Sequence, residues 1–453
     1  MRPLNKEILR LSLPSILANL TVPLVGFVDT AVAGHLEGGF GAAAFIGAIS
    51  IGAMLFNLLY WNFAFLRTGT GGLTAQAFGR GDMGDCAMIL VRGLVLSLAI
   101  AAVILLLQWP FLKLVMLCVQ GTPEAEGLAQ QYFFARVWAA PATLMLMAFS
   151  GWFVGMQDSS SSMWKDLIVN GVNVVASIVL AMGAGDFKGI GFVGIAWGTV
   201  VAQYSGLLFC LLLVTFKYGK KVFSGFRLEK LKESLRHSEL RGFFKMNVNL
   251  FLRSVFFISF YIGYTMIAAQ YGDLMLACSS VMMQTLLIFS YFTDGFAYAG
   301  EALTGRFIGE KNPVMLRRTV KYVFIWSMSL AGVFILIYAA LGKPLLGVLT
   351  DDASVVEACS AFLPWLLLMP PLGCAAFTWD GIFLGATASR GVRDAMIGAA
   401  ASFFAVWFAG KAILQPTGKA AIHLLLAAYF AHLVFRTVWL SFRYRKDIFS
   451  ERR

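Results

Sequence analysis

Twelve times along its 453 residues the sequence runs apolar for long enough to cross a bilayer core, which takes about 20 residues as a helix. In the first half the windows are 8–36, 42–70, 87–112, 127–156, 163–184 and 189–216. In the second half they are 243–269, 274–303, 318–342, 354–386, 394–415 and 419–441. Composition agrees: 59% of the residues are hydrophobic and 13% are charged, where a solvated surface needs about 25% charged residues. Most of the outer surface must therefore face lipid. The chain reads as an all-α polytopic membrane protein.

The net charge of +12 sits in short clusters between the apolar runs, which suits anionic headgroups at loops and gives no basic stripe for nucleic acid. With the N-terminus inside, the inner segments hold Arg80, Arg306, Lys311, Arg317, Arg318, Arg390, Arg393, Arg443 and Arg445, with Lys165 among them. The outer segments hold acids such as Glu37, Glu124, Asp186, Asp273, Asp351 and Asp352. Both termini are predicted to be cytoplasmic, in an inner (cytoplasmic) membrane. The opening Met-Arg-Pro-Leu-Asn-Lys leads into the first run without a small-residue cleavage site, so that run reads as a retained helix. Six scattered cysteines, Cys118 among them, and four histidines form no disulfide framework and no metal cluster; no cofactor is implied.

Residues 217–242 are the one long charged stretch. The predicted organisation is an N-terminal six-helix lobe over 1–216, a cytoplasmic basic linker over 217–242, and a C-terminal six-helix lobe with a short basic tail over 243–453. The lobes repeat. Leu73-Thr74 to Gly79 and Asp82 match Leu303-Thr304 to Gly309 and Asn312, and Gly151-x-Phe153-x-Gly155 matches Gly381-x-Phe383-x-Gly385. Both matches fall at one offset (residue 151 against residue 381). With an even number of spans each, the lobes share one orientation, and their pseudo-two-fold axis lies along the membrane normal.

A charge at membrane depth costs about 2.5–3.5 kcal/mol or more, so the few that occur are informative. Asp29 lies late in the first run, six residues after Pro23, which frees a carbonyl and permits a bend. A carboxyl that moves between dry and wet surroundings can take up and release a proton. Its alternative role is an ion pair with Arg67 or Arg136. Asp380, the repeat counterpart of Ser150, is either functional or a partner for a loop arginine such as Arg390. Asp294 and Glu301 share one helical face, where Arg253 could neutralise one of them in a structural charge network. Asn170 and Asn173 sit on the fifth run, with Ser177 on the face of Asn173. These three read either as interhelical hydrogen-bond glue or as ion ligands. The glycines after Arg67 lack a Walker lysine, and close helix packing explains them better than nucleotide binding.

The stretch Val28-Asp29-Thr30-Ala31-Val32-Ala33-Gly34-His35-Leu36 resembles the first-helix signature of the multidrug and toxic compound extrusion family. Gln76-Ala77-Phe78-Gly79 and Arg306-Phe307-Ile308-Gly309 resemble its second- and eighth-helix ends. Asp294 to Leu303 and Trp379-Asp380-Gly381-Ile382-Phe383 are similar to its DNA-damage-inducible protein F branch. The resemblance implies an antiporter driven by protons or sodium, exporting organic and often cationic amphiphiles by alternating access. It implies that Asp29 is the coupling residue, that Asn173 belongs to the same site, and that Asp380 corresponds to a C-lobe acid implicated in some branches. Many relatives carry a second acid where Ser177 stands, so the resemblance favours a proton over sodium here. The expected partners are a small organic cargo, the coupling cation and membrane lipid, with the chain acting as a monomer.

The alternative within transport is a flippase of lipid-linked sugars from the same superfamily, for which Arg67, Arg136 and Arg253 would hold polyanionic headgroups. An enzyme is not expected, because His423 and His432 are nine residues apart with no acid near them in sequence. A channel is disfavoured because no filter motif repeats.

Overall fold

A computed structural model describes residues 2–36, 41–117, 122–222, 237–350 and 352–449. Glu37, Cys118, Asp351, the greater part of the linker (223–236) and the end of the tail lie outside the described residues. Twelve helices are long and apolar enough to cross a membrane. Helices α1 (Arg2–Gly34), α4 (Met83–Met116), α7 (Ser159–Met182) and α8 (Val193–Leu213) supply four spans of the first half. The other two are split. The second span consists of α2 (Ala42–Trp61) and α3 (Phe65–Gly79), and the fourth of α5 (Pro123–Arg136) and α6 (Ala140–Gly155).

Short helix α9 (Gly219–Val222) then precedes α10 (His237–Ala269), α11 (Asp273–Gly309) and α12 (Pro313–Leu349). Short α13 (Ala353–Ser360) leads into α14 (Leu363–Gly385), followed by α15 (Ser389–Leu414) and α16 (Lys419–Ile448). The single expected run 354–386 is thus two helices. Pro364 sits at the start of α14, where a residue without an N–H is tolerated.

The chain divides into two compact units, one of Leu17–Leu240 and one of Met1–Ile16 with Arg241–Arg453. The division falls within α1, whose helix continues through Pro14 and Pro23. Its first turns join the second unit through several contacts. Trp326 Nε1 donates to Asn5 Oδ1 at 3.1 Å, Arg306 reaches Glu7 at 3.4 Å, and Gly295 lies against Ser12 and Ile16.

The repeat is visible in the backbone. Asp82 and Asn312 occupy equivalent places, and each accepts a main-chain N–H of the next helix, from Asp85 and Met315. The turns before those helices use φ of 75° at Gly81 and 53° at Lys311, and the later equivalent turns use 61° at Gln157 and 53° at Thr387. The shared glycines are contact points. A Cβ at Gly151 would lie 1.9 Å from the Arg67 oxygen, and one at Gly381 would lie 2.1 Å from the Ala297 oxygen. Gly155 approaches the Gly71 oxygen and Gly385 the Glu301 oxygen in the same way. Without hydrophobic drive between helices in lipid, such backbone approach is a main source of association.

Large apolar side chains such as Phe27, Leu106, Phe216 and Phe442 are left exposed, as lipid contact requires. At the far end of α8 a π-turn (Val214–Tyr218) turns Lys217 and Tyr218 onto Asp158, the N-cap of α7. Lys217 Nζ lies 2.6 Å from Asp158 Oδ2.

Candidate functional site

In the 17–240 unit one set of polar side chains lies around Asp29. This residue is 5% exposed near the end of α1, and its Oδ1 is buried with no hydrogen-bond partner. The groups that act on its carboxylate are the Arg136 guanidinium and the Ser177 hydroxyl. Arg136 is the last residue of α5. Its Nη1 donates to Tyr132 Oη at 2.7 Å, and its guanidinium lies 4.6 Å from the centre of the Phe56 ring. Its Nε has no partner. Of the two arginines named from sequence, Arg136 is thus the one that faces Asp29. Arg67 has interactions of its own, and its carbonyl packs against Gly151.

On α7, Asn173 and Ser177 are 2% and 0% exposed and share the face turned to α8. Asn173 Nδ2 donates to Thr199 Oγ1 at 3.0 Å, while its Oδ1 is buried without a partner. Ser177 Oγ reaches the Ile195 carbonyl at 3.5 Å. Asn170 does not join them. Its Nδ2 donates to Thr21 Oγ1 at 2.5 Å, which ties the middle of α1 to α7. Three residues of helical advance turn the Asn170 amide toward α1, where it makes an interhelical hydrogen bond.

The resulting cluster holds one carboxylate, one guanidinium, an amide oxygen and hydroxyls from Ser177, Thr199 and Tyr132. Sequence reading missed Tyr132 and Thr199. A tyrosine one turn before an intramembrane arginine was the signal for the former. Among the described residues no group of three or more His, Cys, Asp or Glu side chains could hold a metal.

The other unit holds a different cluster. Asp380, 5% exposed in α14, is gripped by two arginines. Arg436 of α16 donates from Nε to Oδ1 at 3.1 Å and from Nη2 to Oδ2 at 2.6 Å. Arg253 of α10 donates from Nη2 to Oδ2 at 2.5 Å. These intramembrane arginines, not the loop residue Arg390, are the partners of Asp380. As an ion-pair partner, sequence reading set Arg253 against Asp294 and Glu301, and it overlooked Arg436, a lone cation inside the twelfth apolar run.

On α11, Glu301 is fully buried and Asp294 is half-buried beside Tyr291, and both have interactions of their own. Lys165, read from sequence as a loop cation, is instead buried on α7. There its Nζ donates to Ser150 Oγ at 2.5 Å and pairs with Asp166 at 2.6 Å. Ser150 and Asp380, which are repeat counterparts, are thus both bonded to cationic side chains.

Comparison with known proteins places the chain as a whole. The chain matches MatE over residues 14–182 and 250–410. It is 32% identical over 399 residues to DNA damage-inducible protein F of Escherichia coli (strain K12), covering 88% of this chain and 84% of that protein. It is 24% identical to the Photorhabdus laumondii protein named "Probable multidrug resistance protein NorM", covering 89% and 86%. Among solved structures it superposes on a MOP superfamily transporter from Pyrococcus furiosus with a TM-score of 0.84 at 16% identity, covering 98% of this chain and 96% of that one.

Proposed function

The chain belongs to the MatE family, the multidrug and toxic compound extrusion transporters, and on that premise we propose that it is a cation-coupled antiporter that exports organic amphiphiles by alternating access, with a proton in preference to sodium as the driving ion. The observation that carries this reading is the state of Asp29: an acid at membrane depth, with one oxygen buried and unpartnered and a guanidinium nearby. An intramembrane carboxylate left in this condition is a place where a cation binds and leaves.

The surroundings of Asp29 favour the proton. A sodium ion needs several oxygen ligands around at least one carboxylate and brings a full positive charge with it. Here Arg136 already repels such a charge, and Ser177 stands where relatives carry a second acid. A proton needs no cage. It neutralises Asp29 in place and removes the attraction to Arg136. The part of α1 beyond Pro23 is then free to take a different position against α7, and the hydrogen bond from Asn170 to Thr21 defines where that movement pivots. Asn173 and Ser177 supply the dipoles that receive the ionised form on return. In this scheme Asp380 stays bonded to its two arginines and coupling centres on Asp29. The protein acts as a monomer in the inner membrane, with both termini cytoplasmic.

The test is efflux of a fluorescent organic cargo from proteoliposomes. An imposed pH gradient without sodium should drive export. An imposed sodium gradient at equal pH should not. Transport that follows only the sodium gradient overturns the proton assignment.

A further inference from the structure

Three helices of the C-terminal unit meet at a cluster that the coupling scheme leaves unused. Arg253 of α10, Asp380 of α14 and Arg436 of α16 place two guanidinium groups on one carboxylate. The cluster itself therefore carries one positive charge in excess. A single bidentate Arg–Asp pair would satisfy the carboxylate and be neutral. Arg436 already forms that pair, with a side chain 2% exposed and its guanidinium 5.3 Å from the centre of the Phe377 ring. Arg253 is the surplus member. It touches Asp380 through one nitrogen only, and its side chain is 20% exposed.

Two donors in the cluster are unused: Arg436 Nη1 and Arg253 Nε are both buried without a hydrogen-bond partner. Buried guanidinium donors without acceptors are costly, and so is an excess charge at membrane depth. An anion that reaches the partly exposed Arg253 guanidinium supplies an acceptor there. The equivalent place in the other unit shows no such excess. There Ser150 replaces Asp380, and its cation Lys165 is neutralised by Asp166.

We propose that the Arg253–Asp380–Arg436 cluster is the binding point for an anionic head group on the cargo, a carboxylate or a group of like charge and shape. Arg436 holds Asp380 in place, and Arg253, held at one point, turns its fork toward the incoming oxygens. A planar guanidinium suits this role because it can pair with a carboxylate through two parallel bonds, which an ammonium cannot do. The proposal rests on the efflux reading above and narrows its cargo to amphiphiles that carry an acidic group, alone or beside a positive one.

The experiment uses the purified full-length protein and three probes with one aromatic skeleton, bearing a carboxylate, its methyl ester or a quaternary ammonium in its place. Binding is measured in detergent, and efflux is measured separately in proteoliposomes. The wild-type protein should bind the carboxylate at least about tenfold more tightly than the ester, the scale of one charge-assisted hydrogen bond. Arg253→Gln should bring the ratio to about one, and Arg253→Lys, which keeps the charge and the pairing to Asp380, should retain part of the preference. Size-exclusion profiles matching wild type establish that both variants fold.

Equal binding of carboxylate and ester by the wild type, or an unchanged preference in Arg253→Gln, overturns the proposal. Export of the ester or the ammonium without carboxylate binding removes the anion site and leaves the efflux reading standing. Carboxylate binding that depends on Arg253, with no gradient-driven export of any probe, removes the efflux reading and leaves the site.

Discussion

Asp29 and Asp158 show how differently two acids of one chain are used. Asp29 keeps an oxygen bare in a buried place, so replacing its charge while keeping its shape should uncouple transport and leave the fold intact. Asp29→Asn is expected to insert and purify like wild type but to lose gradient-driven efflux; wild-type-like efflux in vesicles would exclude Asp29 as the coupling group. Asp158 lies outside the spans and is fully engaged. Burial pushes its carboxyl up, but hydrogen bonds from Lys217, Ser161 and Tyr218 outweigh burial and hold it below the ordinary carboxylate range. A depressed folded pKa means that the stabilisation is present above the unfolded value of about 3.9 and is lost as pH falls through the lower folded one. Asp158→Ala, which copies Ala388 at the equivalent place, should lower stability at pH 7 by about 1–2 kcal/mol. The gap from wild type should close as the pH drops below about 4, a result that thermal melting in detergent across pH would reveal.

At the scale of elements, the repeat is a packing rule as much as a sequence pattern. Gly151 and Gly155 meet α3 as Gly381 and Gly385 meet α11, each against main-chain oxygens that cannot move aside cheaply. Gly381→Ala should therefore destabilise the protein by about 1–3 kcal/mol, the scale of an overpacked core. A melting temperature equal to that of wild type would show that the helices can part at no cost. The Gly-x-Phe-x-Gly match was legible in the sequence because backbone approach leaves no choice of residue. The split of the second span at Asn62–Ala64 was not legible there, since the turn takes three residues inside one long apolar run and hydropathy does not register a change of backbone direction.

For the whole molecule, sidedness is the claim on which directionality depends. The distribution of basic clusters predicts that residues 220–235 lie on the cytoplasmic side. Cysteines introduced there should resist impermeant maleimides in intact cells and react after the cells are opened. Labelling from outside would reverse the orientation and the sense of transport. The two units share a helical scaffold and one set of connecting turns, yet their polar sets differ. At the common offset, Asn173 and Ser177 correspond to Phe403 and Trp407, and Asp380 corresponds to Ser150. Duplication supplied the frame, and each half was then given its own charged group.

The sequence by itself determined the solvent, the number of spans and the repeat, and it singled out Asp29 as a charge inside a span. Each of these follows from hydropathy, periodicity or the cost of a charge in lipid, which act locally along the chain. Tertiary structure alone decided the partners. Arg136 rather than Arg67 faces Asp29, Asn170 leaves the site for Thr21, and Asp380 takes Arg253 and Arg436, the latter 56 residues away along the chain. A side chain's neighbours depend on the rotation of each helix about its axis and on which helices lie beside it. Asn170 and Asn173 differ by only about 60° around their helix, yet they meet different neighbours, and no run of residues encodes that on its own.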